Sequence, residues 1–280
     1  MVVLRKFNPF NLQTMKKIIF QGLLLIVLFF STWFVLQQIN WVTILRIKQT
    51  TEKTEEKLDE LLWETIKTTA DENTNQLVLK SVDSLITKIC NYNDIERSKI
   101  KFNVINKNEI NAFAMPNGRL VIYSGLITAT ENQEELTGVL CHEIAHIQLN
   151  HVMKKLIKEI GFSTLISITT GTKGSELIKE TAKVLSSTSF DRSLEKEADI
   201  KAVEYLTKAE INPEHFAHFL YKINDSESEI MKYLTWISTH PDSKKRAEYI
   251  IDHSKNNKVK NVPVLKDKTW NKLKELLENQ

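Results

Sequence analysis

The segment His142-Glu143-Ile144-Ala145-His146 has the residue types and spacing that could do chemistry most directly. Histidines four apart on a helix share one face, one turn apart, and their neutral ring nitrogens can grip one Zn2+. The glutamate between them can reach a water at that metal and act as general base. Such a site belongs to a hydrolase, most simply a peptidase. The chain has 7 His in 280 residues. Chance alone would produce this pentapeptide in roughly one or two such chains in a hundred, so its surroundings decide.

Those surroundings predict a buried helix. Thr130 is the expected N-cap, and Glu131, Glu134 and Glu135 crowd the first turn, where the helix dipole favours acids. Leu136, Val139, Leu140, Ile144 and Ile147 recur at helical spacing. Two histidines and a glutamate buried there without a role would be costly.

A zinc held by two histidines needs another protein ligand and an open position. The metzincin pattern would place a glycine and then a third histidine just after the pentapeptide, but the chain has Leu149 and Val152 at those places. On a continuous helix His151 points about 180° from His142, so it reads as a surface or packing residue. A glutamate from a later helix is the other route. Glu195 and Asp199 share a face with Ala202 and Val203, while Glu197 points elsewhere. Glu195 is then the expected third ligand, and Asp199 the carboxylate that orients a ligating histidine. The competing reading is an acidic, solvated face paired with Lys196 and Lys201. One Zn2+ per chain and no further cofactor are expected.

HEIAH followed by SLEKEAD resembles the HtpX-type and CAAX-prenyl-protease-like family of membrane-linked zinc metallopeptidases, whose signature is HExxH with a ligand Glu in a later ExxxD. Asn111-Ala112-Phe113-Ala114-Met115-Pro116-Asn117-Gly118 resembles the family's hairpin before the active-site helix, and Thr239-His240-Pro241-Asp242 with Arg246 its late motif. The chain looks more like the single-anchor quality-control members than the many-span prenyl-protein branch. The resemblance implies a zincin-like α+β domain, mostly α, with a small sheet or hairpin ahead of the active-site helix. It also implies that the edge strand with Asn111, Ala112 and Phe113 binds an extended peptide. His240 and Arg246 would lie near the cleft as candidates for oxyanion stabilisation. His240 could instead fill the open zinc position and hold the enzyme latent, or merely cap the turn at Pro241.

Around these residues the chain divides into a basic tail (1–17), an anchor (18–45), a helical segment (46–98), the peptidase core (99–255) and a C-terminal helix (256–280). Residues 18–45 carry no charge, and Ile18–Leu36 is long and apolar enough to span a bilayer once. A cleaved signal peptide is the rival, but no small-residue cleavage site follows Leu36. Arg5, Lys6, Lys16 and Lys17 precede the span, whereas Arg46, Lys48 and Lys53 follow it among acids. That bias favours a cytoplasmic N-terminus and an extracytoplasmic, periplasmic catalytic domain. The net charge is +3 without a basic patch, so nucleic acid is not an expected partner. Polypeptide substrates and the membrane are the expected partners, and oligomeric state is not encoded legibly. Cys90 and Cys141 lack CxxC spacing, and Cys141 reads as a small core residue. Strands are predicted at 101–106 and 119–123 with a turn at Asn117-Gly118. A short apolar loop-helix is predicted at 161–174, and helices near 194–209, 213–223, 230–237, 243–254 and 267–278. The functional expectation is a membrane-anchored zinc endopeptidase acting on membrane or envelope proteins in quality control. The alternative is an anchored zinc protein with a chaperone-like or adaptor role.

Overall fold

The computed structural model describes residues 12–38, 47–69, 71–172, 174–225, 235–255 and 259–279. The chain forms two units, Met1–Thr51 and Glu52–Gln280. The first contains helix α1 (Leu12–Gln38). Every described large apolar side chain of α1 from Ile18 to Phe30 is exposed. The described side chains of this helix run only from Lys16 to Thr32. Among the described residues no helix is long and apolar enough to cross a membrane. Arg5, Lys6 and the stretch 39–46 lie outside the described residues.

The second unit begins within α2 (Ile47–Ile66), followed by α3 (Gln76–Tyr92). Leu58, Leu62 and Ile66 of α2, and Val78, Val82, Leu85, Ile86 and Ile89 of α3, are buried, as their helical spacing requires. Three strands follow: β1 (Lys101–Ile105), β2 (Ala112–Ala114) and β3 (Arg119–Tyr123), in the order β1-β3-β2. β1 runs parallel to β3 and β2 antiparallel to it. The turn between β2 and β3 uses Asn117 at φ 55° and Gly118 at φ 73°. Any side chain at Gly118 would place its Cβ 2.0 Å from the Lys99 carbonyl oxygen, so only glycine fits. The sheet is tied to α2 by Asp59, 1% exposed, which accepts from Arg119 Nε at 2.6 Å and Nη2 at 3.0 Å.

α4 (Ser124–Ala129) leads to the central helix α5 (Gln133–Gln148), which is buried from Gln133 through His146. Its N-cap is Asn132, whose side chain accepts from the Glu135 N–H at 2.9 Å. Thr130 instead terminates α4, which corrects the expected cap. α5 packs chiefly against α9 (Arg192–Lys208) and α10 (Glu214–Asp225). Gly138 makes the second contact possible, because a Cβ there would stand 2.5 Å from Phe216 Cβ. Between α5 and α9 lie α6 (His151–Ile160), α7 (Phe162–Thr169) and α8 (Ser175–Ser187). The predicted loop-helix at 161–174 contains α7, while Lys173 lies outside the described residues. The chain closes with α11 (Thr235–Thr239), α12 (Ser243–Ser254) and α13 (Asp267–Glu278). Most of the helix expected at 230–237 lies outside the described residues, which resume at Thr235.

Candidate active site

Three helices and one strand meet at α5. One turn separates His142 from His146, and Nε2 of the two rings stand 3.0 Å apart. α9 brings Glu195 in from the side: Oε2 lies 3.6 Å from His142 Nε2 and Oε1 lies 3.4 Å from His146 Nε2. The turn after α11 adds His240, whose Nδ1 is 3.2 Å from His142 Nε2 and 2.9 Å from Glu195 Oε1. His142, His146 and His240 are fully buried and Glu195 is 2% exposed. These four form a cluster that could hold a metal ion.

The donor set fits a metal. Four donors placed tetrahedrally at 2.0–2.1 Å from one ion stand about 3.3 Å apart. The ring nitrogens stand 3.0 and 3.2 Å apart, and one or other Glu195 oxygen lies 2.9 to 3.6 Å from each of them, all near that value. Glu195 Oε2 and His240 Nε2 are buried without a hydrogen-bond partner. Arg246 Nη1 comes within 2.7 Å of Glu195 Oε2. We read that approach as a charge contact, since it does not complete a hydrogen bond. An unsatisfied buried acceptor such as Glu195 Oε2 is rare unless something else claims it, whereas His240 Nε2 faces Glu143 and not the cluster.

Glu143 sits beside the cluster, fully buried. Its Oε2 accepts from the Ala114 N–H of β2 at 3.0 Å, and its Oε1 is 3.4 Å from Trp236 Nε1 and 3.3 Å from His240 Nε2. Met115 N–H donates to the Arg119 carbonyl and Tyr123 N–H to the Asn111 carbonyl. Alternation along the strand therefore turns the backbone groups of Ala112 and Ala114 toward the free edge of the sheet. Asn111, Ala112 and Phe113 are themselves buried. The Asn111 side chain donates to the Ser186 carbonyl at the end of α8, at 3.3 Å.

Behind the donors stands a second layer. His142 Nδ1 faces Asp199 Oδ1 at 2.8 Å. Arg246 grips both Asp199 oxygens, Nε to Oδ2 and Nη2 to Oδ1, each at 2.7 Å, and its Nη1 donates to the His240 carbonyl at 3.2 Å. All three guanidinium nitrogens are thus engaged by groups that hold the cluster. That placement favours a clamp over the oxyanion donor that the sequence suggested. The Tyr249 hydroxyl also donates to Asp199. Burial alone would raise the Asp199 carboxyl, but the Arg246 charge and the partners at His142 hold it down to about 2. Burial would likewise raise Glu195, yet His240, Arg246 and the hydrogen bond from His146 keep it well below the carboxylate range. Burial drives His146 well below the ordinary histidine value, which favours the neutral ring that a ligand must offer.

Several residues here were not anticipated. His151 is fully buried, and its Nδ1 is 3.0 Å from His146 Nδ1, which corrects the surface alternative. The projection assumed one continuous helix, but α5 ends at Gln148 and Asn150 turns left-handed at φ 58° before α6 starts. Asn150 was the available signal, since asparagine tolerates that conformation. Glu197 reaches His151, with Oε2 3.2 Å from Nε2. Phe190 stacks on His146 with ring centroids 4.0 Å apart, and Trp236 stacks on His240 at 4.5 Å. No pattern in the chain marks either aromatic for that place.

Comparison with known proteins agrees with this constellation. Residues 76–253, more than half the chain, match Peptidase family M48. The chain is similar to the beta-barrel assembly-enhancing protease of Yersinia pestis, 28% identical over 59% of this chain and 38% of that protein. It is also similar to the mitochondrial metalloendopeptidase OMA1 of Bos taurus, 30% identical over 52% of this chain and 31% of that protein. With OMA1 of Schizosaccharomyces pombe it shares 26% identity over 60% of this chain and 51% of that protein. In each case the match covers less than two thirds of the relative's length. A buried cluster that could hold a metal ion, an adjacent buried glutamate and a family match that spans all the elements carrying them lead to one conclusion: this chain belongs to Peptidase family M48.

Proposed function

We propose that this chain is a membrane-anchored, zinc-dependent endopeptidase that cleaves membrane or envelope proteins, with a role in protein quality control. The observation that carries the reading is the packing of His142, His146 and Glu195 into one buried donor cluster with Glu143 against it. In this reading those three residues hold one Zn2+ per chain. Residues 99–255 are the peptidase core, supported by the helices of 46–98 and 256–280. The uncharged run 18–45, behind the basic tail 1–17, anchors the chain once, with the peptidase on the extracytoplasmic side. The exposed apolar side chains Ile18–Phe30 support that anchor.

Bound zinc would acidify an attacking water and polarise the scissile carbonyl. Glu143 takes the proton of that water and returns it to the leaving amine. The Ala114 N–H fixes Glu143 Oε2, so Oε1 is the basic atom turned toward the donor cluster. The edge of β2, through the backbone of Ala112 and the Ala114 carbonyl, pairs with substrate backbone as an added strand. Asp199 orients His142, and Arg246 neutralises Asp199 and Glu195 together. His240 Nδ1 stands among the donors where a substrate oxygen or water would need to be, and β2 is covered along its length. These two observations favour the plug role for His240 and a latent resting form.

Cleavage of unfolded casein by the full-length protein in detergent tests the proposal. Wild type should cleave and a chelator should stop it. Glu143→Gln should keep about one zinc per chain and lose cleavage. Retained cleavage in that variant would sink the general-base assignment. Zinc-loaded protein that never cleaves, even with His240→Ala, would favour the chaperone-like or adaptor alternative.

A further inference from the structure

The two ring nitrogens of His146 have different surroundings. Nε2 joins the donor cluster. Nδ1 lies 3.0 Å from Nδ1 of His151, and Nε2 of His151 lies 3.2 Å from Oε2 of Glu197. His151 is fully buried, whereas the Glu197 side chain is half exposed. A histidine that gives Nε2 to a metal carries its proton on Nδ1. That proton points at His151 Nδ1, which must accept it. The proton of His151 is then on Nε2, where the Glu197 carboxylate accepts. One protonation pattern satisfies all three groups and leaves no donor facing a donor.

We propose that His151 is a positioning residue of the metal site, accepting the Nδ1–H of His146 and linking it to the surface carboxylate of Glu197. The inference rests on the reading of His146 as a metal ligand. The two ligand histidines are then backed differently. Asp199 supports His142 directly and is fully buried. A carboxylate placed directly behind His146 would be a fourth buried acid beside Asp199, Glu195 and Glu143, with Arg246 already shared between the first two. Burying another charge without a partner is costly. A neutral imidazole offers the same acceptor with no buried charge, and leaves the acid at the surface. The left-handed Asn150 makes this possible. Five residues further along an unbroken helix, His151 would point about 140° away from His146.

Zinc affinity of the full-length protein, measured by competition with a chromogenic chelator, tests the role. His151→Ala should weaken zinc binding about 10- to 100-fold. His151→Asn places a carbonyl oxygen near the position of Nδ1 and should recover most of the affinity. His151→Gln places its oxygen near the position of Nε2 and should stay close to the alanine variant. A merely space-filling His151 predicts no such contrast. Alanine at wild-type affinity, or asparagine no better than glutamine, overturns the inference. Should the alanine variant fail to fold in thermal unfolding, the asparagine–glutamine contrast alone decides. His146→Ala is the separate control: unchanged zinc affinity there would overturn the ligand assignment itself, and this inference with it.

Discussion

Replacing Arg246 with methionine keeps much of the side chain's volume and removes one charge from a place 3% exposed. Three contacts to carboxylates disappear, Nε and Nη2 on Asp199 and Nη1 on Glu195, each 2.7 Å in length, together with the hydrogen bond from Nη1 to the His240 carbonyl. Two buried carboxylates then face one another without their cation. Breaking a buried pair by removing one partner costs about 3–5 kcal/mol. The pKa of Asp199 gives a separate scale. Its depression from 3.8 to about 2 corresponds to roughly 2–3 kcal/mol, with Arg246 the largest of the favourable causes. Glu195, also held low, adds to that. For a fold of this size each kcal/mol moves Tm by about 2–4 °C, so the metal-free variant should melt about 6–20 °C below wild type at pH 7. The pH dependence follows from the sign of the shift. A depressed carboxyl stabilises fully above its ordinary pKa of 3.8 and loses that contribution as pH falls toward about 2. The gap between wild type and variant should narrow as pH falls, beginning above the ordinary carboxylate range, because without Arg246 burial raises both acids and the folded variant takes up their protons first. It should also be smaller with zinc loaded, because a dication beside Glu195 supplies part of the missing charge. Circular-dichroism melts across pH, with and without a chelator, measure all three. A gap under about 2 °C at pH 7, or one that stays constant as the acids protonate, would refute the clamp.

Two further expectations concern the same helix and its plug. His240→Ala should raise basal casein cleavage several-fold while the chain still binds zinc. Abolished cleavage would make His240 an oxyanion donor, and an unchanged rate would remove it from the site. Gly138→Ala improves intrinsic helix propensity by about 1 kcal/mol, yet its Cβ would meet Phe216 at 2.5 Å, and such overpacking costs about 1–3 kcal/mol. Tm should fall by a few degrees, whereas a rise would show that α10 yields freely.

Much of the site was legible because its chemistry follows helical spacing. The HExxH pentapeptide lies within one unbroken helix, so the shared face of His142 and His146 needed only the 3.6-residue period. Glu195 and Asp199 also share one helix, and their burial beside Ala202 follows the same period. The hairpin was legible from Asn117-Gly118, since the left-handed turn demands those residue types. His151 was misjudged for the converse reason: the period was carried through Asn150, where the backbone reverses its hand. Thr130 failed as a cap because α4 ends there and the chain bends once more before Asn132.

The sequence by itself determined the family, because each of its motifs is a set of residue identities at short spacing. What only the tertiary structure decided is how distant segments converge on α5. His240 reaches the donors across 98 residues and Arg246 reaches Asp199 across 47. The Ala114 N–H reaches Glu143 across 29. No local period encodes such meetings, since they arise from packing of whole helices against the sheet. For that reason the sequence could name Arg246 near a cleft, and only the fold shows it paired with Glu195 and Asp199.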